Sequence, residues 1–202
     1  MKPKLHRTLW KDLVDRFERL LTAIDPELAA HCVRAGAIAS DIATFMRLRT
    51  ERIECLDSAA RLHDIGKIFI ARDILDKPGP LDDAEWTELK RHPLTGYELV
   101  RRGVPEEVSQ ILLTHHERID GSGYPRGVPG HQLSLEAKIL QAADAIDAIT
   151  SERPYQPALP LQYALNELTR WSGSQFDPVV VAAVLEMDAC NHWASTLDTI
   201  AV

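Results

Sequence analysis

The stretch "IDPELAAHCVRAGAIASDIATFM", residues 24–46, carries both a helix start and the spacing that decides the fold class. Asp25 followed by Pro26 has the pattern of an N-cap and a first helical residue, so a helix is predicted to begin there. Apolar residues then recur at intervals of three and four, as on one face of an amphipathic helix. They are Leu28, Cys32, Ala35, Ala39, Ile42 and Met46.

The same helical pattern continues on both sides of this stretch. Upstream, apolar residues at the same spacing run from Trp10 to Ile24, and downstream no alternating β pattern appears. Glycine and proline cluster at 76–80 and 121–130, where loops are predicted. Further helix starts are predicted at Asp82 with Glu85, at Pro93, at Ser134 and at Asp177. The predicted fold class is all-α, a single bundle of about seven or eight helices.

Composition limits the classes of function. A chain of 202 residues with 45% apolar residues is long enough for one well-packed domain, and a net charge of -7 argues against binding a nucleic-acid polymer. Cys32, Cys55 and Cys190 form no CxxC pair, which indicates a reducing compartment, and the cytoplasm is expected. The longest apolar run, "VVVAAVL", is too short for a membrane span, and no signal peptide is visible, so no membrane partner is expected.

Several histidines are predicted to fall at or near helix ends and next to carboxylates. They are His31, His63 followed by Asp64, His92, and the adjacent pair His115 and His116. Asp144 lies in the apolar helical stretch "AKILQAADAIDAIT", where an unpaired charge is costly to bury. Glu27 and His31 are four residues apart on one helix face, which is how a helix offers two ligands to one metal. Each residue alone is weak evidence, but together they indicate a metal site.

Five blocks in order resemble those of the HD-GYP family, a branch of the HD-domain metal phosphohydrolases. They are "RLHDIGK" at 61–67, "KRHPLTGYEL" at 90–99, "HHERIDGSGYPRGVPG" at 115–130, "AADAIDAITSERPY" at 142–155 and "GSQFDP" at 173–178. The resemblance implies a helical bundle that hydrolyses cyclic di-GMP to linear pGpG or GMP. It implies an HD-GYP domain over residues 25–187, preceded by a helical lead-in at 1–24 and followed by a tail of unknown role at 188–202.

The resemblance also implies a ligand set. His63 and Asp64 become the central ligands, with Asp64 bridging two ions, and His92, His115, His116 and Asp144 complete the site. Glu27 and His31 stand where three-metal members carry an extra Glu and His, so a third ion is expected, although Glu27 could instead be an acid favoured by the helix dipole. Imidazole and oxygen ligands without cysteine favour two or three divalent ions, iron or manganese, over structural zinc.

The remaining site residues are assigned by the same resemblance. A metal-bridging hydroxide is the expected nucleophile, Lys67 lies near the scissile phosphate, and Arg153 is a phosphate contact. Tyr124 either packs on a guanine or braces its loop. Gln156 stands where many members carry Arg or Lys, which predicts weaker substrate binding. Asp147 either orients a ligand histidine or is solvated, and Arg118 and Arg126 are expected only to keep the loop soluble.

Three functions remain open from the sequence. The first is an active cyclic di-GMP phosphodiesterase, which the complete ligand set favours. The second is a degenerate module that binds cyclic di-GMP as a sensor without turnover, motivated by Gln156. The third is a phosphohydrolase of another nucleotide such as cyclic GMP-AMP. The expected partner is a cyclic dinucleotide; regulation is expected in trans, and a homo-oligomer stays open.

Overall fold

All regular structure in the described residues is helical, which confirms the all-α prediction. The computed structural model describes residues 3–152 and 157–193, with side chains from residue 10 onward within these ranges. The α-helices are α1 Pro3–Ile24, α2 Pro26–Phe45, α3 Thr50–Ala60, α4 Arg72–Leu75, α5 Asp83–Leu89, α6 His92–Val100, α7 Glu106–Thr114, α8 Leu135–Thr150, α9 Leu161–Arg170 and α10 Pro178–Ala189. Two 3₁₀ helices span Ile65–Phe69 and Gly130–Gln132. The short α4 and α5 bring the number of described α-helices to ten, above the predicted seven or eight.

The helix starts predicted from capping residues are confirmed. The Asp25 side chain accepts a hydrogen bond from Leu28 N at 3.0 Å, and Pro26 is the first residue of α2. Asp82 and Glu85 form a reciprocal capping box at α5. Ser134 and Asp177 cap α8 and α10 through their side chains. Since an N-cap acts on amides two or three residues away, these starts depend on local sequence alone.

Helices α2 and α8 pack against each other at the centre of the bundle, and α3 packs against both. Their apolar faces supply much of the main core, including Ile38, Ile42, Leu140 and Ile146, which are fully buried. The same helices carry two predicted ligands, His31 on α2 and Asp144 on α8, which lie 3.1 Å apart. Burial of the apolar faces therefore sets where these ligands meet.

A close backbone approach joins the first 3₁₀ helix to α6. A Cβ on Gly66 would lie 2.1 Å from the carbonyl oxygen of His92, so only glycine permits this distance. The approach brings the segment that contains Asp64 next to the start of α6, where His92 lies. Gly66 therefore permits the packing that places Asp64 near His92.

None of the described helices is both long and apolar enough to cross a membrane. Trp193, in the predicted C-terminal tail, is buried in the main core together with residues of α10. The first residues of that tail therefore pack on the bundle.

Candidate active site

Histidine and aspartate side chains from α2, α6, α8 and the segments after α3 and α7 meet in one cluster. Two groups of ligand-type atoms occur among the described residues, and within each group all atoms lie within 4.8 Å of one another. The first group is Asp64, His92, His115 and His116, and the second is His31, His63 and Asp64. Asp144 Oδ1 adjoins the second group, 3.1 Å from His31 Nε2. Asp64 therefore lies where the two groups meet, the position predicted for a bridging ligand.

Three of these histidines are oriented by a hydrogen bond to a backbone carbonyl one helical turn earlier. The Nδ1 atoms of His63, His92 and His115 lie 2.7, 2.7 and 2.6 Å from the carbonyl oxygens three residues earlier. Because a carbonyl oxygen only accepts, each Nδ1 carries the hydrogen and each Nε2 keeps its lone pair. Metal-binding histidines are held in this way by a partner on the other ring nitrogen.

His31 is oriented by a side chain instead. Its Nδ1 lies 2.6 Å from Asp147 Oδ2, and Arg34 Nε donates to Asp147 Oδ1 at 2.7 Å. Ser151 Oγ also donates to Asp147, at 2.9 Å. Burial lowers the pKa of His31, but hydrogen bonds to Asp144 and Asp147 outweigh it and raise the pKa to about 9. Metal binding through His31 would therefore release a proton.

Two buried atoms of the cluster have no hydrogen-bond partner among the described residues. They are His63 Nε2 and Asp64 Oδ1, although Asp64 Oδ1 lies 3.1 Å from His92 Nε2. Buried polar atoms are nearly always satisfied, and an exception calls for an explanation such as a bound ion. Both atoms have lone pairs that a cation would satisfy. The donor set therefore fits a divalent metal site.

Apart from His31, the ionisation of cluster residues matches this chemistry, as His115, His116 and Asp64 show. Burial lowers the pKa of His115 well below its ordinary value, and burial together with the nearby His92 lowers the pKa of His116 to about 3. Burial alone would raise the pKa of Asp64, but the charge of Lys67 and the nearby histidines hold that pKa well below its usual range. Neutral imidazoles and ionised carboxylates are the forms that bind metals.

Lys67 faces the cluster directly. Its Nζ lies 2.5 Å from Asp64 Oδ2, and its side chain is 23% exposed. Burial disfavours the charged ammonium, but the pKa of Lys67 is raised because Asp64 and Asp144 stabilise the positive charge. Lys67 therefore places a positive charge beside the predicted bridging ligand.

The cluster opens into a cavity of about 680 Å³. His116 and Asp144 belong to both the cluster and the cavity wall, and Tyr124 lines the wall beside them. The Tyr124 and His116 rings are 4.8 Å apart between centroids. This volume lies within the range of small-molecule sites, about 300–1,000 Å³.

Glu117 holds the glycine-rich loop, a role that the sequence analysis missed. Its buried carboxylate accepts hydrogen bonds from the backbone N–H groups of Arg126 at 2.7 Å and Val128 at 3.1 Å. Gln141 of α8 donates to the Glu117 carbonyl oxygen at 2.5 Å. The available signal was an acid directly after two predicted ligands, in a loop whose backbone groups need partners.

Gly123 brings the loop close to the end of α7. A Cβ at this position would lie 2.4 Å from Arg118 N, and the next residue, Tyr124, donates its N–H to the His116 carbonyl oxygen at 3.1 Å. The absent side chain therefore allows Tyr124 to lie over His116. The backbone of Tyr124 therefore braces the loop, one of the two roles left open for this residue, and its ring lines the cavity.

Arg118 lines the cavity as well, although the sequence analysis expected it only to keep the loop soluble. Its guanidinium donates to the Gln175 side chain, and Ser174 O accepts from Asp120 N at 2.9 Å. The "GSQFDP" block thus supports the loop after α7 by direct hydrogen bonds.

Of the predicted metal ligands, Glu27 is not brought into the cluster. Glu27 is exposed on the first turn of α2 and belongs to neither group of ligand atoms. Arg153 and Gln156 lie outside the described residues.

Comparison with known proteins defines the class. The HD domain family matches residues 15–180. The chain therefore belongs to the HD domain family.

Two curated relatives illustrate the branch. The chain is 39% identical to the cyclic di-GMP phosphodiesterase response regulator RpfG of Xanthomonas campestris pv. campestris, over 87% of this chain and 47% of that protein. It is 36% identical to the 3'3'-cGAMP-specific phosphodiesterase 3 of Vibrio cholerae, over 85% of this chain and 38% of that protein. The chain thus spans less than half the length of these relatives.

Solved structures agree on the fold. A Bdellovibrio bacteriovorus protein, Bd1817, described as an HDG"Y"P protein, superposes with a TM-score of 0.67 at 20% identity, over 88% of this chain and 63% of that one. The resemblance to the HD-GYP branch is confirmed by these findings together.

Proposed function

We propose that this chain is a metal-dependent phosphodiesterase that hydrolyses cyclic di-GMP to linear pGpG, GMP or both. The observation that carries the proposal is the position of Asp64, which belongs to two groups of ligand atoms beside one cavity. A shared carboxylate between two groups is the arrangement expected of a two-metal site. The family membership and the names of the relatives support the same reaction.

The ligands divide between two ions. His31, His63 and Asp144 with Asp64 would hold one, and His92, His115 and His116 with Asp64 would hold the other. When bound, two divalent ions would provide a water-derived nucleophile at neutral pH and stabilise charge on the attacking and leaving oxygens.

The remaining groups act on the phosphodiester. Lys67 Nζ, already at the cluster, neutralises charge on the transferring phosphoryl group or protonates the leaving oxygen. Tyr124 lies over His116 and lines the cavity beside the cluster, where it can contact the bound dinucleotide.

Metal content tests the site independently of activity. Protein prepared without oxygen should carry two to three equivalents of iron or manganese by elemental analysis. Glu27→Ala should remove one equivalent if Glu27 holds a third ion, whereas an unchanged count would identify it as a first-turn acid of α2. One equivalent or none in the parent, even after reconstitution, would contradict the polynuclear site.

A second substrate, cyclic GMP-AMP, is favoured by the Vibrio cholerae relatives named for it. Metal-loaded protein should be incubated with each dinucleotide, and the products separated by chromatography. Cleavage of cyclic di-GMP at the higher kcat/KM supports the main proposal, and a preference for cyclic GMP-AMP supports the second. Binding without product from either would indicate a sensor, the alternative that Gln156 motivates.

A further inference from the structure

One helix face forms a wall of the cavity beyond the ligand cluster. Four cavity-lining residues come from α5 and its C-cap: Asp83, Trp86, Thr87 and Lys90. Their spacing of three, four and seven residues places them on one side of the helix. Trp86 is 44% exposed. This surface, the α5 face, therefore presents an indole ring and an ammonium group to the cavity.

Lys90 is held between two aromatic rings. Its Nζ lies 5.8 Å from the ring centroid of Trp86 and 5.8 Å from that of Tyr124. Tyr124 in turn contacts His116, so Lys90 lies one aromatic ring away from the ligand cluster. Cation–π contact at this distance orients the ammonium group without neutralising it.

Lys90 forms no ion pair with any carboxylate of the described residues. Within the described ranges no carboxylate lies within ion-pairing distance of Lys90 Nζ, whereas its neighbour Arg91 pairs with Glu88 at 2.7 Å. The chain as a whole carries a net charge of -7. An anionic ligand in the cavity therefore depends on local cations such as Lys90.

We propose that the α5 face is the nucleotide subsite of the cavity, with Trp86 stacked on a purine base and Lys90 bound to a phosphate. The inference rests on the proposed function, because it assigns a role within the same cavity. Every base has a π-face, so stacking on Trp86 does not distinguish guanine from adenine. The subsite therefore serves cyclic di-GMP and cyclic GMP-AMP alike.

Steady-state kinetics of the metal-loaded protein tests the subsite through KM. Loss of one base stack weakens binding about ten- to hundredfold, so Trp86→Ala should raise KM by that factor for both dinucleotides, with kcat within about twofold of the parent. Trp86→Phe keeps an aromatic face and should recover most of the loss. Thermal unfolding monitored by circular dichroism checks that the variants remain folded.

The lysine is tested with a matched charge control. Lys90→Gln should raise KM about tenfold and make the salt dependence of KM shallower, because an ionic contact is lost. Lys90→Arg should retain the parent's salt dependence. Arg91→Gln removes the same charge from the next residue, outside the cavity wall, and should leave KM unchanged.

Binding separates this inference from the proposed function. Equilibrium dialysis with a phosphorothioate analogue of cyclic di-GMP measures affinity whether or not the chain hydrolyses the substrate. Weaker binding by Trp86→Ala and Lys90→Gln supports the subsite even if the parent forms no product, which would contradict only the proposed function. Affinities of both variants within twofold of the parent, or no binding by the parent, would overturn the subsite.

Discussion

The ligand cluster and the α5 face border the same cavity, but they are held in place by different means. In the cluster, His63, His92 and His115 are each fixed by a hydrogen bond to a backbone carbonyl three residues earlier. On the α5 face, Trp86 is 44% exposed and Lys90 is positioned by ring contacts. The cluster histidines are therefore oriented by hydrogen bonds of the fold itself, whereas the α5 face depends on exposed side chains and ring contacts.

The two regions also differ in charge. Asp64 and Asp144 are held ionised, because nearby cationic groups keep their pKa values well below the usual range despite burial. The α5 face instead contributes the ammonium group of Lys90, which forms no ion pair within the part of the chain that the structure describes, beside the carboxylate of Asp83. Reaction chemistry and substrate affinity should therefore be separable by mutation. The following changes test that separation, from the largest expected effect to the smallest.

Asp64→Ala should abolish hydrolysis and remove metal from both groups, because Asp64 is the ligand common to them. Elemental analysis and product chromatography measure the two effects. Asp57→Ala on α3, which removes a carboxylate outside both groups, is the matched control and should retain metal and activity. Two equivalents of metal in Asp64→Ala would show that this residue does not join the sites.

Lys67→Ala should lower kcat by about 10²-fold or more with the metal content unchanged, since a charge beside the phosphoryl group acts mainly in the transition state. Single-turnover kinetics and elemental analysis separate the rate from the metal content. Lys138→Ala, which breaks the 2.9 Å ion pair with Asp177 at the start of α10, should keep its turnover. A Lys67→Ala protein with the parent's kcat would exclude this lysine from the mechanism.

Asp147→Asn should weaken metal binding at the group that contains His31 by about 10–100-fold, as expected when the hydrogen-bond partner of a ligand histidine is altered. The amide keeps the shape of the carboxylate but loses the charge that faces His31 and Arg34. Competition with a chelator measures the affinity of each site. A titration curve identical to the parent's would leave Asp147 without a role in orienting His31.

Gln156→Lys should tighten cyclic di-GMP binding about tenfold, because a charge-assisted hydrogen bond replaces a neutral one. The added contact is ionic, so the salt dependence should become steeper. Titration calorimetry on metal-bound protein, with Lys67→Ala as the slowed background, measures this effect. Equal dissociation constants at low and high salt would show that position 156 does not face a phosphate.

Much of the fold followed from short-range signals. Asp25, Asp82, Ser134 and Asp177 mark helix starts because a capping side chain bonds to amides only two or three residues ahead. The order of the motif blocks likewise identified the histidines and aspartates that the bundle brings together. Glu117 was missed, because its partners Arg126 and Val128 lie across a loop whose path is not readable from local sequence.

The sequence by itself determined the helical class, the helix starts and the residue types of a metal site. Only the tertiary structure decided that Asp147 contacts a histidine 116 residues away and that the α5 face lines the cavity. The physical reason is the distance along the sequence over which each signal acts. A helix cap or a helical period depends only on residues about one helical turn away. The meeting of ligands from α2, α6 and α8 depends on how buried apolar faces pack, and packing is a property of the whole core.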